Sequence, residues 1–381
     1  MKIAVVQPRV SYYVGGSEKV ALKHAQLLSE IISNNEVSLY TTKPPEENYS
    51  FLYKDFLRLN KMVVVNEIHI PQKYRFIYEK LPGQDQNRWD KESILFSNLI
   101  RQQLSEMKPD VVLSYYVVDS LFKNLNVSNV VYLGGYPKDE VHIYEAFLTF
   151  CSATISNSEN VKRLWGEQIS RSGVRHNYVL PKGVDQGLEC RDIFNKEDVN
   201  IVFAGRLLKR KGVDTLLEAF SSLTNKFPNS KLWILGDGPE RKQLEEYGRR
   251  LHLDNKVCFT GFVSNVYNYF FSSTLCVFPF LYGEGLSSVV AEAMSVGACV
   301  ISSSGDLGNE ELISSGENGV LVPPGKVEEL AKVMEGLISD EKTRRTLGVN
   351  AKKFASKNLS WETVRESLIS ILEETIKKNE K

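Results

Sequence analysis

Short apolar runs alternate with longer segments of helical period along most of the chain. KIAVVQ opens the series, a glycine-containing loop (VSYYVGGSEK) follows, and VALKHAQLLSEII then repeats its apolar positions at helical spacing. Val20, Leu27 and Ile31 share one face there, with Lys19 and Lys23 off it. VSLYTT, MVVVNEIHI, DVVLSYYV and NVVYLGG read as strands, and residues 87–107 as a helix ending before Pro109. ATISNS and HNYVL are further strands, and PKGVDQG is a turn. A second series starts at VNIVFAG and continues with a helix over 212–227, the strand KLWILGDG and the helix ERKQLEEYGRRLHL. The strands VCFTG and LCVFPF, the helical SSVVAEAMSVG and the strand CVISSS complete it. Strands joined by helical crossovers predict parallel sheets with helices on both faces. Two such series predict an α/β protein of two doubly wound domains facing a cleft, divided near residues 180–191. Ligands of such sheets bind beyond the carboxyl ends of the strands, where GGSE, GRLLKRKG and GDGPE fall.

Composition narrows the function. A length of 381 residues suits two domains. Lys and Arg number 47 and Asp and Glu 47, and the balance holds on both sides of Leu180, with 21 basic and 19 acidic residues before it and 26 and 28 after. Neither part has the basic excess of a general nucleic-acid binder, so no nucleic-acid partner is expected. The five cysteines are scattered and form no CxxC, which excludes a zinc site and a small disulfide scaffold. They read as apolar core residues in a reducing compartment. The apolar run before Gln7 is only four residues, Ile3–Val6, too few for a secretory signal. Residues 257–283 carry no charge over 27 positions, but Asn265, Asn268, Pro279 and two glycines suit strand, short helix and strand better than a spanning helix. The expectation is a cytoplasmic soluble protein.

Three segments carry candidate chemistry. In GEGLSSVVAEAMSVG, Glu284 and Glu292 are eight residues apart. A retaining glycosidase pair needs carboxylates about 5 Å apart, whereas eight helical residues rise about 12 Å. The segment instead suits one ligand laid along it. The amides of Gly285, Leu286, Ser287 and Ser288 at the helix start would receive a phosphate, Glu292 a ribose, and Glu284 whatever hangs from the phosphate. In FAGRLLKRKG, Arg206 at a strand end and Lys211 before Gly212 and a helix would supply a fork and a point charge to a diphosphate. Lys209 and Arg210 read as solvated surface. GGSE, with Gly15 and Gly16 before a helix, permits close backbone approach to an anion or is plain turn chemistry. No GK[ST] or GxGxxG accompanies it.

These segments together resemble a known family. EGLSSVVAEAM looks like the EX7E element of retaining glycosyltransferases, most closely glycosyltransferase family 4 (glycosyl transferases group 1), with the GT-B fold of two Rossmann-like domains. GRLLKRKG, ILGDGPE, FTGFVSN, ENGVLVPPG and Ser360–Trp361 follow in family order, and ISNSENVKR and LPKGVD match its interdomain region. The likeness is dense over 152–361 and thinner before, where GGSE is the main match. It implies an acceptor-binding domain over 1–180, a donor domain over 181–361, and a C-terminal helix, about 362–381, crossing back to the first. It also implies that Arg206 and Lys211 bind the donor diphosphate, Gly16 closes over that phosphate, Glu292 holds the ribose, Val263 lies near the base and Glu284 contacts the sugar. Two positions depart from the pattern. Where members carry a histidine after the strand NVVYLGG, this chain has Gly134 and Gly135, and His142 is the nearest histidine. Before the ENG run it reads Leu307-Gly308-Asn309-Glu310-Glu311, with Glu311 in the glutamate place.

The resemblance implies transfer of a hexose-type sugar from a nucleoside diphosphate to a hydroxyl of a glycan or lipid-linked acceptor, with the anomeric configuration retained. Two cations can neutralise a diphosphate, so no metal and no cofactor are expected. The alternatives are a GT-B sugar-nucleotide epimerase or hydrolase, and a non-catalytic sugar-nucleotide-binding module. QKYRFIYEK mixes Lys73, Arg75 and Lys80 with aromatic residues, so it suits a peripheral membrane contact at the inner face or an ordinary half-exposed segment.

Overall fold

The computed structural model describes residues 1–13, 15–31, 37–45, 48–60, 62–70, 86–115, 125–135, 148–282, 285–305 and 308–379, with the side chains of 86–91 excepted. The chain divides into two compact units, Met1–Lys182 with Val364–Lys381, and Gly183–Thr363.

The first unit is built on a parallel sheet of β1 (Ile3–Val6), β2 (Val37–Thr42), β3 (Val64–Ile68), β4 (Val111–Tyr115), β5 (Ser128–Leu133), β6 (Ala153–Ser156) and β7 (His176–Val179). Their order is β3-β2-β1-β4-β5-β6-β7. Strand β1 pairs with β2 through Ile3 and Val37 and with β4 through Ile3 and Val111. The chain order therefore reverses between β1 and β4. Every residue of β1, β2, β4, β5 and β6 is buried. Continuous burial, rather than alternation, is what a parallel sheet covered on both faces requires. The helices are α1 (Gly16–Ile31), α2 (Phe51–Leu59), α3 (Gln86–Met107), α4 (Glu159–Leu164) and α5 (Gly166–Ser172). Helix α2 starts where the Ser50 hydroxyl accepts the Tyr53 amide at 3.2 Å.

The second unit repeats the plan with β8 (Val199–Ala204), β9 (Ser230–Leu235), β10 (Val257–Gly261), β11 (Leu275–Phe278), β12 (Val300–Ser303) and β13 (Val320–Val322). The order β10-β9-β8-β11-β12-β13 again reverses beside its first strand. Its helices are α6 (Val213–Leu223), α7 (Arg241–Arg250), α8 (Tyr267–Ser272), α9 (Ser288–Ser295), α10 (Val327–Ser339) and α11 (Glu341–Asn358). The helix expected to reach residue 227 stops at Leu223, whose carbonyl takes both the Lys226 and the Phe227 amides in a turn before Pro228. Helix α12 (Trp361–Asn379) begins in this unit, and its residues from Val364 onward belong to the first. Among the described residues, no helix is long and apolar enough to cross a membrane.

One polar cluster lies in the first unit's interior. His24 of α1 is fully buried with its Nδ1 2.5 Å from the Tyr115 hydroxyl of β4, and its ring meets that of Tyr132 edge-on at 5.8 Å. Burial raises the Tyr115 hydroxyl well above its usual range, so it stays protonated. Burial also pulls His24 down to about 3, so the folded state holds a neutral imidazole. An unfolded chain takes up the proton near the ordinary value of about 6.5. Stability from this residue is therefore complete above that value and falls as pH drops toward the folded one. Between pH 7 and pH 5 the loss should be about 2 kcal/mol. Urea unfolding at both pH values, in the wild type and in His24→Gln, checks this. The wild type should lose that increment and the variant should not.

Candidate functional site

Strands β8 and β11 are neighbours in the second sheet, pairing Leu275 with Ile201 across the reversal of strand order. The loops that leave their carboxyl ends lie at the switch point, where open sheets bind ligands. Arg206 leaves β8 half-buried, two residues beyond Ala204. Its peptide neighbourhood is fixed by the GDGPE loop after β9: the Leu207 amide donates to the Asp237 carbonyl at 2.9 Å, and the Leu207 carbonyl accepts the Glu240 amide at 3.2 Å. Lys211 ends a short 3₁₀ turn, Lys209–Lys211, and is only 8% exposed. Its ammonium stands 4.4 Å from the centre of the Phe280 ring, which comes from the other loop. A cation over the negative face of an aromatic ring is attracted to it, more strongly where water is partly excluded.

The two loops interlock through their backbones. The Leu281 amide donates to the Arg210 carbonyl at 2.8 Å. Gly212, at φ 65°, lies so close to the β11 loop that a Cβ there would stand 2.0 Å from the Pro279 carbonyl oxygen. Farther along that loop, a Cβ on Gly308 would stand 2.8 Å from the Leu286 nitrogen and 2.7 Å from the Gly285 carbonyl carbon. Residues 285–288 thus run into α9 packed against Gly308. Leu286 and Ser287 are buried, Gly285 and Ser288 half-buried, and the helix start carries no side-chain cap. Such a start keeps its outward amides and the positive end of the helix dipole for an anion.

Glu292 lies on α9, 7% exposed, and is not the solvated carboxylate that an amphipathic surface helix would carry. The Tyr267 hydroxyl of α8 is raised above its usual range, first by burial and then by the charges of Glu292 and Asp185. That hydroxyl donates to Asp185 Oδ2 at 3.2 Å, and the Trp361 indole nitrogen donates to Asp185 Oδ1 at 3.1 Å. The Trp361 ring covers Gly183 so closely that a Cβ would meet it at 2.2 Å. Sequence reasoning placed Asp185 and Trp361 in motifs without giving them a task, and it missed Tyr267 and Phe280. Their partners lie far off in sequence, and no local spacing signals them. Val263 follows β10, half-buried against the unit's core.

In the first unit Gly16 opens α1, and the Glu18 carboxylate folds back over Gly15 before it, so that a Cβ there would stand 2.5 Å from Glu18 Oε2. Glu18 is buried beneath this turn and accepts from Gln7 Nε2 at 3.1 Å. Burial raises its carboxyl above the usual range, against the opposing charges of Arg9 and Lys182. Where the family histidine would stand, Gly134 and Gly135 are held by their carbonyls, which accept from Asn157 Nδ2 at 3.0 Å and Trp165 Nε1 at 2.7 Å. Glu311 is exposed at the end of a 3₁₀ turn. Glu284, His142 and the stretch 72–80 lie outside the described residues. Among the described residues, no three His, Cys, Asp or Glu side chains gather as metal ligands would.

Residues 191–354, which include Arg206, Lys211 and Glu292, match the family of glycosyl transferases group 1. The second unit is a glycosyl transferases group 1 domain. The chain is 29% identical over 197 residues to an uncharacterized glycosyltransferase of Haemophilus influenzae, covering 51% of this chain and 53% of the relative. It is 30% identical over 189 residues to the alpha-D-kanosaminyltransferase of Streptomyces kanamyceticus, covering 49% and 48%. The matched region thus spans about half the length of these curated relatives. Among solved structures, Alr3699/HepE of Anabaena in complex with UDP superposes with a TM-score of 0.78 at 18% identity, over 98% of this chain and 100% of that one. The likeness to it is one of fold, and that fold, two Rossmann-like units, is GT-B.

The close backbone contacts of the loops after β8, β11 and β12 leave a measurable signature. Gly212→Ala and Gly308→Ala each put a methyl group against backbone that cannot swing aside. Each should lower stability by about 1–3 kcal/mol. Gly336, inside α10, has open space where a Cβ would stand, with no other group within 4 Å, so Gly336→Ala should instead stabilise, by about 0.5–1 kcal/mol. Urea midpoints of the three variants against wild type test this difference of sign.

Proposed function

We propose that this chain is a retaining glycosyltransferase that moves a hexose-type sugar from a nucleoside diphosphate to a hydroxyl of a glycan or lipid-linked acceptor. The observation that carries the reading is the buried Lys211, held over Phe280 where the loops after β8 and β11 lock together. Arg206 stands on the same loop, and the uncapped start of α9 follows the other. The arrangement supplies a guanidinium fork, a point charge and helix-start amides to one diphosphate. In transfer, the bond from the anomeric carbon to the diphosphate oxygen breaks and a bond to the acceptor oxygen forms. The acceptor's proton passes to the departing phosphate on the same face of the sugar. Negative charge grows on the leaving diphosphate, and preorganised cations aimed there lower the barrier. These two cations take the place of a divalent metal in this reading, so transfer runs without one.

Glu292, buried two turns into α9, is assigned the ribose hydroxyls, and Glu284, before the helix, the sugar. Val263 is assigned to the base. HepE has been solved with UDP, with UDP and glucose, and with UDP-glucose, which supports a uridine-linked hexose as the first donor to try. The first unit is assigned the acceptor.

Two measurements test the assignment. Arg206→Ala and Lys211→Ala should each lower turnover by about 10²-fold or more, since each removes a preorganised charge. Near-normal transfer by Arg206→Ala would overturn the diphosphate clamp. Titration with the free nucleoside diphosphate separates the two glutamates. Glu292→Ala should weaken that affinity by about 1–3 kcal/mol through unpaired ribose contacts. Glu284→Ala should leave it unchanged and depress turnover instead. The reverse pattern would mean that the donor lies the other way round.

A further inference from the structure

Beyond the transfer reaction, we propose that the second unit carries a separate binding site for a neutral oligosaccharide, on the part of its sheet where β8 and β9 begin. A depression of about 480 Å³ lies there, bordered by Asn200 and Lys231, the second residues of β8 and β9. Arg206 and Lys211 follow the other end of β8. The volume is in the range of roughly 300–1,000 Å³ common to small-molecule sites.

Three aromatic rings form one wall. Phe194 stacks on Trp233 with centroids 4.9 Å apart and 26° between planes, and Tyr269 meets Phe194 edge-on at 5.7 Å. The indole is fixed in orientation, because Trp233 Nε1 donates to Asn200 Oδ1 at 2.9 Å. These rings are half-buried and held before any ligand arrives, so little ordering entropy is lost on binding. Around them stand groups of opposite sign and uncommitted capacity. Among the described residues, the Asp198 carboxylate and the Lys231 ammonium make no hydrogen bond or ion pair. Asn265 and Asn268 each use the amide oxygen on a backbone N–H, of Tyr267 at 3.1 Å and Arg191 at 3.0 Å, and keep the amide nitrogen as a donor.

The chemistry of that set selects the ligand. A purely apolar ligand would desolvate Asp198, Lys231 and two amides without replacing their water. An anion would meet the Asp198 carboxylate, and a cation the Lys231 ammonium. A pyranose offers a C–H face whose partial positive charge suits the negative face of an aromatic ring. Its hydroxyls both donate and accept, so one sugar can satisfy carboxylate, ammonium and amide together. The depression is open, which suits a chain lying across it.

The test uses the full chain and linear hexasaccharides of glucose, galactose and N-acetylglucosamine, followed by tryptophan fluorescence and saturation-transfer NMR. Wild type should bind at least one of the three, and Tyr269→Ala and Asp198→Ala should each weaken that binding about tenfold or more. Asp198 has no partner to lose, so its variant keeps the test available if removal of the Tyr269 ring unfolds the unit. Arg206→Ala should bind as wild type does, whatever becomes of its transfer activity, so failure of the transferase reading and failure of this site are separable. No binding of any of the three at about 10 mM overturns the proposal. Undiminished binding by Asp198→Ala, or loss of binding in Arg206→Ala, overturns it as well.

Discussion

The contact of Gly212 with the Pro279 carbonyl oxygen is the constraint on which the candidate site depends. At that point the loops after two neighbouring strands meet backbone to backbone, with no side chain between them. The close approach lets the Leu281 amide reach the Arg210 carbonyl and sets the Phe280 ring under the Lys211 ammonium. A residue with a Cβ would separate the loops and move the cation off its ring. Lysine burial is ordinarily unfavourable, and an aromatic face beneath the charge offsets part of that loss.

A second network lies beside Glu292. Asp185 receives both the Tyr267 hydroxyl and the Trp361 indole, and Tyr267 stands beside the charge of Glu292. One carboxylate thus fixes two aromatic donors from distant parts of the sequence, and one of them borders the residue assigned to ribose. With two acceptors filled by rigid partners, Asp185 has little freedom to turn, and Tyr267 and Trp361 share its restriction.

Much of this was legible beforehand because parallel sheets write themselves plainly. The buried strands read as continuous apolar runs, and both series of strand and helix appear as two units of parallel sheet. The placement of Arg206, Lys211 and Glu292 follows from their spacing to strand ends and glycines. What was not legible has local or non-local causes. Helix α2 buries only Tyr53 and Phe56, so its amphipathic signal is short. Helices α10 and α11 do show helical period, at Leu330, Met334 and Leu337 for the first, but a reading that moves from strand to strand passes over them. Phe280, Pro279 and Tyr267 gain their roles from residues on other loops, and only the folded chain brings those together. The aromatic wall of Phe194, Trp233 and Tyr269 is of the same kind, assembled from a linker, a strand and a helix.

Helix α12 has a consequence for how the protein is made. The first unit owns Val364, Leu368, Ile371 and Leu372, all buried, yet the ribosome reaches them only after the whole second unit. At roughly 5–20 residues per second, that delay is on the order of ten seconds or more. Over that time the nascent first unit lacks the helix that these side chains dock, and the surface awaiting them is open to water or to a chaperone. The second unit, by contrast, is a continuous stretch of chain, able to fold as it emerges. Synthesis thus completes the later unit first, and the earlier one closes last.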